Sequence, residues 1–158
     1  MADVVPGVFL DALRQVFDET GIRLDSVERQ RASRSDSAVE QVIASVGITG
    51  GVRCNLMLCA DNGSADGILR GMTDGFQLPA DRLGEFPRAA MGEIANQVAG
   101  RAVTILASLG RRCDITPPTV VTADRVDSLL PGPAAVWTLR GAFGVLRLVA
   151  AQERRKSS

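Results

Sequence analysis

A helical pattern runs from about Leu83 to Leu109, the longest regular stretch in the chain. Pro87 falls in its first turn, where the missing backbone N–H is tolerated, and Gly110-Arg111-Arg112 stops it. In a chain of 158 residues, a helix this long must lie across another layer to bury its apolar side. The segments on either side supply that layer. Val39, Val42, Ile43 and Val46 form an apolar run, and Gly50-Gly51 signals a hairpin between the run ending at Ile48 and a strand over Val52–Ala60. Past the helix, Cys113–Val121 reads as a short strand that Pro117-Pro118 interrupts or begins. Ala134–Leu139 and Gly144–Ala151 form a second hairpin, joined at Gly141.

The remaining elements fit the same plan. Val8, Phe9, Ala12, Leu13, Val16 and Phe17 recur at helical spacing and Gly21 closes the segment. Leu24–Ala32 is polar and Arg-rich, a weak strand at best. Asp61-Asn62-Gly63-Ser64 starts a short helix with Ile68, Leu69 and Met72 on one side, ended by Gly75, and Pro79 and Asp81 mark the loop before the long helix. The expected architecture is α+β, one domain over residues 1–152 with helices packed on an antiparallel sheet, followed by a charged tail at 153–158.

Composition removes several kinds of chemistry. There is no histidine, which excludes Ser-His-Asp and Cys-His hydrolases and His-ligated zinc or haem. Tyrosine is also absent and aromatics are only 4%, too few for base-stacking platforms. Eighteen basic residues balance eighteen acidic ones, so a dedicated nucleic-acid or anionic-membrane binder is not expected. The apolar stretch Ala134–Gln152 is broken by Arg140, Arg147 and two glycines and is no membrane span. Asp3, Asp11, Arg14 and Asp18 deny the N-terminus a signal-peptide core. Three cysteines, Cys54, Cys59 and Cys113, lack CxxC spacing, and on one strand Cys54 and Cys59 would face opposite ways. Reduced thiols in a soluble, cytoplasmic protein are the expectation.

On the wheel of the long helix, Ala90, Met91, Ile94, Val98, Ile105 and Leu109 fall within one half. Glu93 and Asn96 fall on the other, roughly 60° apart and one turn along, so their side chains project together. Their neighbours there are Ala89 and Gly100, small enough to leave the carboxylate and amide clear for close approach. A Glu and an Asn on a solvated helix face are common, and Glu-x-x-Asn alone does not identify a site. Other features carry less. Gly63–Gly67 is no nucleophile elbow and Gly50-Gly51 no phosphate loop. Arg29, Arg31 and Arg34 read as a docking patch or, more simply, as a solvated edge strand, and Trp137 as core.

The surrounding sequence adds to this. Met-Gly-Glu-Ile-Ala-Asn-Gln-Val-Ala-Gly-Arg-Ala (Met91–Ala102), followed by Cys-Asp-Ile-Thr-Pro-Pro-Thr-Val-Val (Cys113–Val121), resembles the CheX family of chemotaxis phosphatases, relatives of CheC and FliY. Val42–Gly51 with the strand after it, and Pro6–Ala12, are similar to that family's first hairpin and first helix. The resemblance implies a phosphatase acting on the phosphoaspartate of a CheY-type receiver domain. It implies that Glu93 pairs with the receiver's active-site lysine and that Asn96 orients the attacking water. It implies no cofactor on this chain, with Mg²⁺ brought by the receiver. CheC relatives carry two acid–amide helices, whereas Phe9–Thr20 here offers only Asp11 and Gln15. A single site fits the CheX branch, which works as a homodimer. Gln97 stands where many relatives carry an apolar residue, at the edge of the implied site. The alternative function is a non-catalytic adaptor or dimerisation module using the same helix face.

Overall fold

The computed structural model describes residues 4–30, 41–72, 86–123 and 134–152. In chain order the elements are α1 (Val4–Thr20), β1 (Ser26–Gln30), β2 (Gln41–Gly50), β3 (Cys54–Asp61), α2 (Asn62–Met72), α3 (Phe86–Ser108), β4 (Cys113–Ile115), β5 (Thr119–Ala123), β6 (Ala134–Gly141) and β7 (Gly144–Gln152). The strands form one sheet in the order β1-β6-β7-β3-β2-β4, with β5 also paired to β2. Every pairing is antiparallel. This is the α+β single domain expected, helices on an antiparallel sheet. The Gly75 end of α2, the Pro79–Asp81 loop, Leu83, Arg31, Arg34 and the tail at 153–158 lie outside the described residues.

Alternation along each strand sorts side chains to two faces. Val42, Ala44, Val46 and Ile48 of β2, Leu56 and Leu58 of β3, Trp137 and Leu139 of β6, and Leu146 and Leu148 of β7 are buried together with the helices. The opposite face buries Ile43, Met57, Cys59, Val136 and Val149. Cys54 belongs to the first cluster and Cys59 to the second, so the two thiols do lie on opposite faces. All three cysteines are free. β1, the weakest strand in sequence, is, among the described residues, an edge strand paired with β6 alone. Its Arg29 lies over the Trp137 ring at 5.5 Å from the centroid, an apolar cover carrying an exposed charge. Pro117-Pro118 interrupts rather than begins: β4 pairs with Ile48–Gly50 and β5 with Gln41–Ser45, along the same edge of β2.

Helix ends follow the sequence closely. Ile22 N donates to Phe17 O and Gly21 N to Asp18 O, the paired bonds of a Schellman stop, with Gly21 at φ 83°. Gly110 repeats this at φ 82° through Arg111 N to Leu106 O and Gly110 N to Ala107 O. Asp61 caps α2 by accepting from Ser64 N at 2.7 Å, and Ser64 Oγ accepts from Val145 N at 2.9 Å, which pins that helix to β7. Phe143, in the β6–β7 turn, meets Phe17 edge-to-face at 6.0 Å between ring centroids. A Cβ on Gly67 would stand 2.4 Å from Phe143 O, so α2 reaches that turn only because Gly67 has no side chain.

The wheel of α3 is rotated from the expected one. Ala95, Ala99, Ala102 and Leu106 join Ala90, Met91, Ile94 and Val98 in the core, while Ile105 is half-buried. Leu109 is 55% exposed because it lies at the Schellman stop, beyond the helical residues. No helix among the described residues is long and apolar enough to cross a membrane.

Candidate functional site

Two contacts fix how α3 sits. On one flank, Arg88 Nη2 donates to Val120 O at 3.3 Å, and a Cβ on Gly92 would be 3.1 Å from Val120 Cγ2. On the other, Arg101 Nη2 donates to Glu19 Oε2 at 2.6 Å and Nη1 to Gln15 Oε1 at 3.4 Å. The helix is therefore bordered by β5 on one side and by α1 on the other, and a strip of it faces outward between them.

Ala89, Glu93 and Gln97 are exposed along that strip, and Gly100 is half-buried. A Cβ added at Gly100 would meet nothing within 4 Å. Glu93 thus stands at the crest, with the small Ala89 one turn before it and Gln97 one turn after. Asn96 is less prominent than the sequence suggests. It is half-buried, one helical turn beyond Gly92 and on the same β5-facing flank. Its amide has no hydrogen-bond partner among the described residues, so both its acceptor and its donors are available. Among the described residues Glu93 has one partner: Gln97 Nε2 donates to Glu93 Oε1 at 3.0 Å. Sequence reasoning placed Gln97 only at the edge of the site. The signal was present in the i, i+4 spacing of the two residues.

Other groups fall away from this strip. Asp11 and Arg14 are exposed on α1. Burial is the main cause that pushes the Cys54 and Cys59 thiols up to about 12, with Cys113 adding to the effect at Cys54 and Arg147 opposing it at Cys59. Such thiols are protonated and unreactive near neutrality. Among the described residues, no group of three or more Cys, Asp or Glu is placed to hold a metal ion. The site offers one carboxylate and one amide, on a rigid helix, open to a large partner.

A seven-stranded antiparallel sheet backed, among the described residues, by three helices is similar in fold to solved CheC-like structures. A model of the CheC-like family matches residues 86–122, which hold α3, β4 and nearly all of β5. The CheY-P phosphatase CheX of Thermotoga maritima is 35% identical over 81 residues, 51% of this chain and 51% of that protein. The match therefore spans about half the length of that curated relative. Over nearly the whole chain the likeness is one of fold. CheX in the CheX–CheY–BeF3–Mg²⁺ complex from Borrelia burgdorferi superposes with a TM-score of 0.72 at 20% identity, covering 94% of this chain and 97% of that one. Chemotaxis protein CheX from Vibrio vulnificus gives 0.72 at 22% identity, covering 94% and 96%. The resemblance read from the sequence holds on both counts: the chain is similar to CheX proteins locally in sequence and globally in fold.

Proposed function

We propose that this chain is a phosphatase that hydrolyses the phosphoaspartate of a CheY-type receiver domain. Glu93 pairs with the receiver's active-site lysine and sets the register of the two proteins. Asn96 hydrogen-bonds the attacking water and holds it in line with phosphorus. The observation that carries this reading is the pair itself: an exposed carboxylate and, one turn on, a half-buried amide with no hydrogen-bond partner among the described residues, flanked by Ala89 and Gly100.

The chemistry requires little more. Phosphoryl transfer passes through a loose transition state, so placing the nucleophile counts for more than a strong base. The Asn96 amide can accept a hydrogen bond from the attacking water through its oxygen while its NH₂ donates to a second oxygen. A tenfold to thousandfold acceleration needs only about 1.4 to 4 kcal/mol off the barrier, a plausible yield from one oriented water. In this reading the chain brings no cofactor of its own, Mg²⁺ arrives with the receiver, and the protein works in the cytoplasm as a homodimer.

The test is phosphate release from a small panel of phosphorylated receivers. Asn96→Ala is expected to lower turnover by at least about a hundredfold while sparing much of the binding. Glu93→Ala is expected to weaken both. Turnover by Asn96→Ala at the wild-type rate would overturn the role given to the amide. Binding without turnover by the wild type would mark a receiver-binding adaptor instead.

A further inference from the structure

Glu93 and Asn96 are treated differently by their surroundings. Among the described residues the amide has no hydrogen-bond partner, whereas one oxygen of the carboxylate is taken by Gln97 Nε2 at 3.0 Å. We propose that Gln97 is a positioning residue for Glu93, holding Oε1 so that Oε2 faces a cationic group on the partner. The proposal rests on the phosphatase reading above and deepens it.

Helical side chains lean toward the N-terminus, so Gln97 reaches back over the turn that carries Glu93. An exposed glutamate left to itself samples many rotamers, and pairing with a partner's ammonium must freeze them. A bond made before the partner arrives removes part of that cost. The residue type matters as much as the place. A neutral amide donates without cancelling the carboxylate's charge, whereas a lysine would compete with the incoming cation. The next cation along the same i, i+4 row, Arg101, is engaged by Glu19 and Gln15 of α1. The charge of Glu93 is thus steadied by a neutral group and left for the partner.

The test measures receiver dephosphorylation by wild type, Gln97→Leu, Gln97→Glu, and Glu93→Ala with and without Gln97→Leu. Gln97→Leu, which keeps helix propensity, is expected to raise KM about threefold to tenfold with kcat nearly unchanged. Gln97→Glu, with two like charges at i, i+4, is expected to raise KM further. In the Glu93→Ala background, Gln97→Leu is expected to leave kcat/KM where it was. An unchanged KM for Gln97→Leu overturns the proposal and leaves the phosphatase reading standing. Equal losses in both backgrounds also overturn it, because Gln97 would then act directly on the partner. A wild type that releases phosphate from no receiver overturns both.

Discussion

Gly100 is where fold stability and partner approach can be separated, because one position should move them in opposite directions. It lies inside α3, where glycine is about 1 kcal/mol worse than alanine, and an added Cβ would meet nothing within 4 Å. Gly100→Ala should therefore gain about 0.5 to 1 kcal/mol, a rise of about 2–3 °C in Tm for a chain of this size. A methyl group is small, so phosphate release should stay within about twofold of wild type. Gly100→Trp inverts the balance. Tryptophan has a better helix propensity than glycine, so α3 should fold at least as well. Its indole, however, would stand one helical turn, about 6 Å, beyond Asn96 and block a partner that must come close. Turnover should fall at least about tenfold with an unchanged circular dichroism spectrum. Wild-type turnover by Gly100→Trp would refute close approach along this strip. A lower Tm for Gly100→Ala would refute the open space there.

Two further predictions concern the sheet. The Thr138 hydroxyl is buried without a hydrogen-bond partner among the described residues, so Thr138→Val should raise the denaturant midpoint by the equivalent of about 1 kcal/mol at constant m-value; a loss would show the hydroxyl to be satisfied. The Cys54 and Cys59 thiols, near 12 in the fold against an ordinary 9.0, stay protonated after an unfolded chain has begun to ionise. Below pH 9 they add no pH dependence. Between pH 9 and 12 each should cost up to roughly 1.4 kcal/mol of stability per pH unit. Urea midpoints taken from pH 8 to 11 should fall more steeply for wild type than for a Cys54→Ala, Cys59→Val double variant, and parallel slopes would contradict the burial argument.

Much of the fold was legible because its signals are local. Gly21 and Gly110 end helices by backbone geometry alone, and the β2–β3 and β6–β7 hairpins are marked by glycine between apolar runs. β1 was obscure because its residues are mostly exposed, and only pairing with β6 makes Ser26–Gln30 a strand. The rotation of α3 was hidden for a related reason. Helical periodicity weights large apolar residues, so it favoured Ile105 and Leu109, while the core face is completed by Ala95, Ala99 and Ala102. At the site, the shared projection of Glu93 and Asn96 followed from spacing. Their unequal exposure did not, because it depends on how α3 packs against its neighbours, among them β5, whose Val120 lies against Gly92 and Arg88.

The same alanines and glycines explain how one helix serves as both beam and site. Gly92, Ala95, Ala99 and Ala102 are buried, and their short side chains let α3 lie close to the sheet. Ala89 and Gly100, on the outward strip, are as small as those residues. The contrast along α3 is therefore small against polar more than apolar against polar, which is why its amphipathic pattern is faint. Rigidity has to come from the flanks. The Arg101–Glu19 pair is too exposed, at 36% and 59%, to add much stability, but together with the Arg88–Val120 bond it ties down both sides of the helix. A ridge held on two sides can present a carboxylate and an amide at fixed spacing, and a site that works by placing one water depends on that spacing more than on any strong base.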